Sequence, residues 1–183
     1  MTAKKQQKQN KKGKMKKLFD GEFELTSFGG KVTKVLVAMY IIAICFLCFS
    51  PQPFKIEGVE TPNIISYGRL RLLLVPFNSF IGIEKLDSGL EVFWVFAQNV
   101  TNMFLIFPLM LGVICLYPSL RNWKKAWLAA FGVSLTIETT QLIVDLLYNA
   151  NRVFEIDDLW TNSLGGLLAL WLYSVFRKKY QKQ

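Results

Sequence analysis

Four runs of apolar residues, each long enough to cross a lipid bilayer as a helix, constrain this chain more than any other feature. The first covers residues 32–49, carries no charge after Lys34 and stops at Ser50-Pro51. The others cover roughly residues 92–117, 126–148 and 159–176. At a rise of ~1.5 Å per residue, about 20 apolar residues span the hydrocarbon core. A soluble domain arranges its apolar residues as periodic stripes facing a core. Here 52% of 183 residues are hydrophobic and 14% aromatic, and they come in unbroken runs, so lipid is the expected solvent. The predicted fold is all-α: a single bundle of four transmembrane helices.

Charge orients the bundle. The net charge of +9 raises nucleic acid as a partner, but 10 of the 22 Lys and Arg lie before the uncharged part of the first run. Beside a membrane span such a tail marks the cytoplasmic side and touches anionic lipid, and no nucleic-acid partner is expected. With four spans and both termini inside, cytoplasmic segments hold 17 Lys and Arg and outer segments 5. The positive-inside rule therefore places both termini in the cytoplasm. The rival is a cleaved signal peptide. The long tail and the lack of a small-x-small cleavage site favour an uncleaved anchor. Three regions follow: a basic, disordered cytoplasmic tail and linker over residues 1–30, a transmembrane domain over 31–177, and a basic C-terminal tail over 178–183.

The segment between the first two runs is harder to place. It contains an apolar stretch around Leu72 to Val75 that is too short to span, closed by Pro76. Residues 64–90 are read either as a fifth short interfacial or re-entrant helix or as a plain extracellular loop. The sequence contains no His, which excludes His-based catalysis and His metal ligands. Cys45, Cys48 and Cys115 all sit inside apolar runs and read as small packing residues. No cofactor and no metal are expected. The Asn99-Val100-Thr101 sequon lies within a span, out of reach of glycosylation.

The third run breaks its own pattern. Ser134, Glu138, Gln141 and Asp145 follow one another at intervals of 4, 3 and 4 residues, which puts them on one helix face. A carboxylate inside the bilayer costs several kcal/mol unless it is paired or protonated, so this face points into the bundle. Glu138 lies 13 residues beyond Lys125, about 20 Å from the cytoplasmic end, in the outer half of the bilayer. The second and fourth runs bring Gln98, Asn102, Asp158 and Asn162 to similar depth. Gly165-Gly166 next to them permits close helix approach. Asp157 or Asp158 also suits capping of the fourth helix. Arg152, in the short loop above, is the expected cationic partner of Glu138, Asp145 or Asp158. The plainer alternative is that these groups only hold the helices together.

Read in order, these segments resemble the VanZ-like family of bacterial membrane proteins. The resemblance covers about residues 36–176. It rests on Val75-Pro76-Phe77, the stretch from Asn102 to Pro108, Glu138 with Gln141, and RVFEIDDLWTNSLGG from Arg152 through Asp158 and Asn162 to Gly166. The resemblance implies a bundle of four or five spans. It also implies a setting, since the namesake is associated with low-level resistance to teicoplanin, a glycopeptide that binds cell-wall precursors.

Three functions remain open. In the first, an exofacial polar site of Asn102, Glu138, Gln141, Arg152, Asp158 and Asn162 binds a glycopeptide antibiotic, a lipid-linked wall precursor or a phospholipid. In the second, the protein is an intramembrane enzyme with Glu138 as base and Asp158 or Asp157 as acid, or as a ligand for phosphate-bound Mg²⁺, at a rim of Glu155, Asp157 and Asp158 that has no diagnostic metal-binding spacing. In the third it is a transporter or scaffold. No internal repeat is visible, so transport would require an oligomer. The topology is checked by reporter fusions. Alkaline phosphatase joined after Asn151 is expected to be active, and joined after Gln183 inactive.

Overall fold

A computed structural model of the chain describes residues 17–51, 63–81 and 89–182. Residues 1–16, which hold most of the basic tail, 52–62, 82–88 and Gln183 lie outside the described residues. The order of elements is helix α1 (Ser27–Phe49), strands β1 (Ile65–Tyr67) and β2 (Leu70–Leu73), and short helix α2 (Asn78–Ile81). Helix α3 (Gly89–Leu116) follows. A 3₁₀ turn at Pro118–Leu120 leads to α4 (Trp123–Tyr148), strand β3 (Phe154–Glu155) and α5 (Ile156–Gln181). The four long helices are each apolar enough to cross a membrane, as the sequence predicts.

Local chemistry sets the helix ends. The Thr26 hydroxyl accepts from the Gly29 amide at the start of α1, and the Asn122 side chain accepts from Lys124 and Lys125 at the start of α4. Both occupy amides that no helical carbonyl can reach. Helix α4 ends at Asn149, which takes the left-handed conformation (φ 52°) that asparagine tolerates at a C-cap. Pro108 lies inside α3 and cannot donate to the Phe104 carbonyl. One residue further on, the Leu105 carbonyl accepts from the Tyr40 hydroxyl of α1 at 2.9 Å, which ties α1 to α3 near this weak point.

Helix α5 is the most enclosed span and packs chiefly on α3 and α4, while α1 leans on α3 from outside. The adjacent glycines of α5 face different neighbours. A Cβ on Gly165 would sit 2.1 Å from the Met103 carbonyl oxygen of α3, and one on Gly166 would sit 2.5 Å from Ala130 Cβ of α4. The small side chains therefore set both helix separations. Apolar side chains such as Leu36, Met39, Ile42 and Phe46 of α1 point outward, as lipid-facing residues do.

At one end of the bundle the approaches to α1, α3 and α5 meet. Arg121 pairs with Glu24, donating from Nη2 at 2.7 Å, and its guanidinium lies 4.7 Å over the Tyr173 ring. Arg121 also donates to the carbonyls of Ile114 and Cys115, which caps α3. Tyr117 and Trp123 are exposed at this end, where aromatic side chains favour the membrane interface.

The opposite end differs from expectation. Part of the segment assigned to a short helix or loop is a β-hairpin. Strands β1 and β2 are antiparallel about a two-residue turn in which Gly68 supplies the positive φ that such turns favour. Strand β2 then pairs in parallel with β3, Leu72 opposite Phe154 and Leu73 opposite Glu155. After Tyr148 the chain doubles back along α4, through Asn149 and Asn151 at positive φ. The Arg152 amide donates to Asp145, and the Glu155 amide donates to Glu138, farther down the helix. Glu138 lies ten residues before Tyr148, about 15 Å below the end of α4. The small sheet is therefore sunk beside the last turns of α4, where its central strand can satisfy both edges.

Gly165→Ala is expected to destabilise the bundle by about 1–3 kcal/mol, because the methyl meets backbone that cannot step aside. Gly30→Ala, with open space around it, is the control. Thermal unfolding in detergent, followed by aggregation of each variant, checks the difference.

Candidate functional site

The polar face of α4 is buried throughout. Ser134, Glu138, Gln141 and Asp145 are exposed by 0%, 1%, 9% and 1%. Their partners divide them into two groups. Toward the first turns of α5, Ser134 donates to the Asp158 carbonyl at 3.0 Å and accepts from the Asn162 amide at 2.9 Å. Glu138 accepts from the Glu155 backbone amide at 3.1 Å, and its carboxyl is also in hydrogen-bonding contact with that of Asp158. Two carboxyl groups in such contact need one proton between them. Helix α3 closes this side with two amides. Asn102 donates to Asp158 Oδ1 at 2.5 Å, and Gln98 donates to Glu155 Oε1 at 2.8 Å. Three carboxyl groups, those of Glu138, Glu155 and Asp158, thus gather where α3, α4 and α5 meet.

The cluster is graded from dry to open. Glu138, Asn162 and Ser134 are buried, whereas Gln98, Asn102, Glu155 and Asp158 are half-buried and form its outer edge. Burial pushes the Glu155 carboxyl up to about 8, and the neighbouring Asp158 carboxyl pushes it in the same direction. Among the described residues, no three acidic or cysteine side chains are grouped to hold a metal ion. The described ion pairs are those of Glu24 with Arg121 and Arg177, both at the other end of the bundle. No cationic side chain forms an ion pair with the carboxyl cluster among the described residues.

A sequence model of the VanZ/LLP1 family matches residues 37–177, which takes in every residue of this cluster. The chain belongs to the VanZ/LLP1 family. No curated protein and no solved structure matches it.

Within this VanZ/LLP1 protein the expected site residues separate. Asn102, Glu138, Asp158 and Asn162 come together. Gln141 does not join them, because its amide donates to the Cys48 carbonyl of α1 at 3.0 Å. Arg152 does not pair with a carboxylate through its side chain. Its guanidinium donates to the carbonyls of Leu47 (2.7 Å) and Ser50 (2.8 Å and 3.2 Å), and only its backbone amide meets Asp145. The free carbonyls at the end of α1 carry the negative end of the helix dipole, which a guanidinium fork satisfies well. Gln141 and Arg152 therefore fasten α1 to the bundle.

Two residues gain importance beyond the sequence reading. Glu155 enters the cluster because the chain turns back along α4, an arrangement no helical spacing encodes. Asp157 anchors the hairpin: its Oδ1 accepts from the Phe77 amide at 2.7 Å and from Trp160 Nε1 at 2.9 Å. Phe77 also packs against the Trp160 ring, and Phe77 itself has a positive φ of 56°. The Val75-Pro76-Phe77 segment thus meets the start of α5, 80 residues away.

The raised Glu155 pKa fixes a pH dependence. Unfolded, this carboxyl loses its proton near 4.5; folded, it keeps it until about 8. Its contribution to stability is full below the unfolded value and is lost as pH rises through the folded one. Groups facing it are Glu138 from α4, Asp157 and Asp158 from α5, and Gln98 from α3. The melting temperature in detergent is expected to fall between pH 5 and pH 9, and Glu155→Gln is expected to flatten that fall. Equal slopes for the two proteins would contradict the assignment.

Proposed function

We propose that this VanZ/LLP1 protein binds an amphiphile of the bacterial cell envelope in the outer half of the cytoplasmic membrane and through it contributes to glycopeptide resistance of the teicoplanin type. The amphiphile is a glycopeptide antibiotic, a lipid-linked wall precursor or a phospholipid. The distribution of Lys and Arg supports termini in the cytoplasm, and with that orientation the carboxyl cluster lies on the outward side.

The observation that carries the proposal is the half-buried edge of Gln98, Asn102, Glu155 and Asp158. Polar groups serving only to hold helices together are cheapest when fully enclosed and mutually paired. Here three carboxyl groups are concentrated at one place, with one side only partly covered. Ser134 and Asn162 support the floor, and the sunken hairpin covers the flank. Arg152 and Gln141 act indirectly in this scheme, by holding α1 in place.

A second reading has its own support. The contact between Glu138 and Asp158 is the arrangement in which one carboxyl serves as acid while the other serves as base. An intramembrane enzyme acting on a lipid or wall intermediate would use this pair. It predicts altered lipid or precursor masses in cells that produce the protein, and identical mass profiles would set it aside.

The binding proposal is tested in a teicoplanin-sensitive host producing equal amounts of wild-type protein, Asp158→Asn, or Glu138→Gln with Asp158→Asn. Wild-type cells are expected to tolerate more antibiotic, and the double variant is expected to lose that tolerance. Loss of one charged contact weakens binding by about tenfold per 1.4 kcal/mol. Undiminished tolerance in the double variant overturns the proposal.

A further inference from the structure

We infer that the ligand of this site presents a primary ammonium group, and that the head group the site selects is cationic at its tip rather than a bare phosphate. The inference rests on the binding proposal above and narrows it to a ligand class.

The hydrogen-bond inventory of the cluster is one-sided. The Gln98 and Asn102 amides already donate to Glu155 and Asp158, and the Glu155 backbone amide donates to Glu138. The Ser134 hydroxyl and the Asn162 amide are likewise committed. What remains is the carboxyl groups themselves. Without a ligand they hold protons, Glu155 until about 8 and Glu138 with Asp158 one between them. Once a bound cation replaces those protons, they accept only, through about four lone-pair sites each. Asn162 adds an independent sign. It is 2% exposed, yet its Oδ1 has no hydrogen-bond partner. It stands one helical turn below Asp158 on the same face of α5, at the floor of the cluster. A buried amide oxygen without a donor costs about 1–3 kcal/mol, so a donor supplied from outside is favoured there.

Charge points the same way. The guanidinium expected to receive a phosphate, that of Arg152, is occupied by the end of α1. Arg69 donates to the Leu146 carbonyl at the end of α4. An anion at this place would meet three carboxyl groups, and among the described residues no cationic side chain forms an ion pair with them. A primary ammonium carries three N–H donors on one positive centre, which suits two carboxylates and an amide oxygen. Because Glu155 holds its proton until about 8, a bound ammonium displaces that proton, and binding strengthens as pH rises.

The test uses full-length purified protein in detergent, incubated with dioleoyl phosphatidylethanolamine or dioleoyl phosphatidylglycerol and read by native mass spectrometry. The expected result is retention of the ethanolamine lipid about tenfold above the glycerol lipid. Asp158→Asn and Glu155→Gln are each expected to abolish the preference, and wild-type retention is expected to be greater at pH 8 than at pH 6. Competition by free ethanolamine at millimolar concentration separates the ammonium group from the acyl chains: competition supports recognition of the head group, and its absence counts against it. Preference for the glycerol lipid that depends on Asp158 keeps the binding proposal and overturns the ammonium inference. Lipid retention indifferent to both substitutions overturns the binding proposal as well.

Discussion

The hydrogen bond from the Glu155 backbone to the Glu138 carboxyl ties together the end of the molecule that carries the carboxyl cluster. It pins the returning chain to a point about 15 Å below the end of α4. From that point α5 begins, so Asp158 in its first turn lies beside Glu138 rather than beyond the end of α4. Strand β3 is fixed by the same contact, and β2 can pair with it only because it is held there. The hairpin, the α5 register and the carboxyl cluster share this one constraint. Removing the Glu138 acceptor would leave a buried amide unpaired and release the sheet from the helix.

Arginine has a common structural use across the bundle. Arg121 donates to the last carbonyls of α3, Arg152 to those of α1, and Arg69 to one of α4. Each helix end carries unpaired carbonyls and partial negative charge, and each guanidinium answers both. Near a membrane this matters more than at a wet surface, since water is less available to serve those carbonyls. The consequence for the site is chemical. Arg152 and Arg69, committed to helix ends, form no ion pair with the carboxyls of the cluster among the described residues.

Much of the architecture was legible because lipid as solvent leaves few options. Each of the four runs had to be a helix, and each predicted run lies inside α1, α3, α4 or α5 apart from Tyr117, one residue past α3, while the helices extend up to five residues beyond the runs. The 4-3-4 spacing from Ser134 to Asp145 correctly marked a buried face, because helical periodicity is a local property. Asn102, Glu138, Asp158 and Asn162 were found together through depth alone. The hairpin was not legible. Its strands are three and four residues long, and β2 owes its place to β3, some 80 residues later in the chain. The place of Arg152 is not legible for a related reason: charge suggests a carboxylate, and no sequence rule favours the two carbonyls of Leu47 and Ser50 at the end of α1 instead.

The sequence by itself determined the solvent, the number of spans, the family and the face of α4 that turns inward. These follow from hydropathy and from the 3.6-residue period, which every segment carries within itself. Tertiary structure decided the partners. Only the folded chain turns back along α4 to bring Glu155 into the cluster, sends Gln141 and Arg152 to α1, and leaves the Asn162 oxygen unanswered. Those contacts join residues far apart in the chain, and their choice depends on which donors lie within about 3 Å after the helices pack.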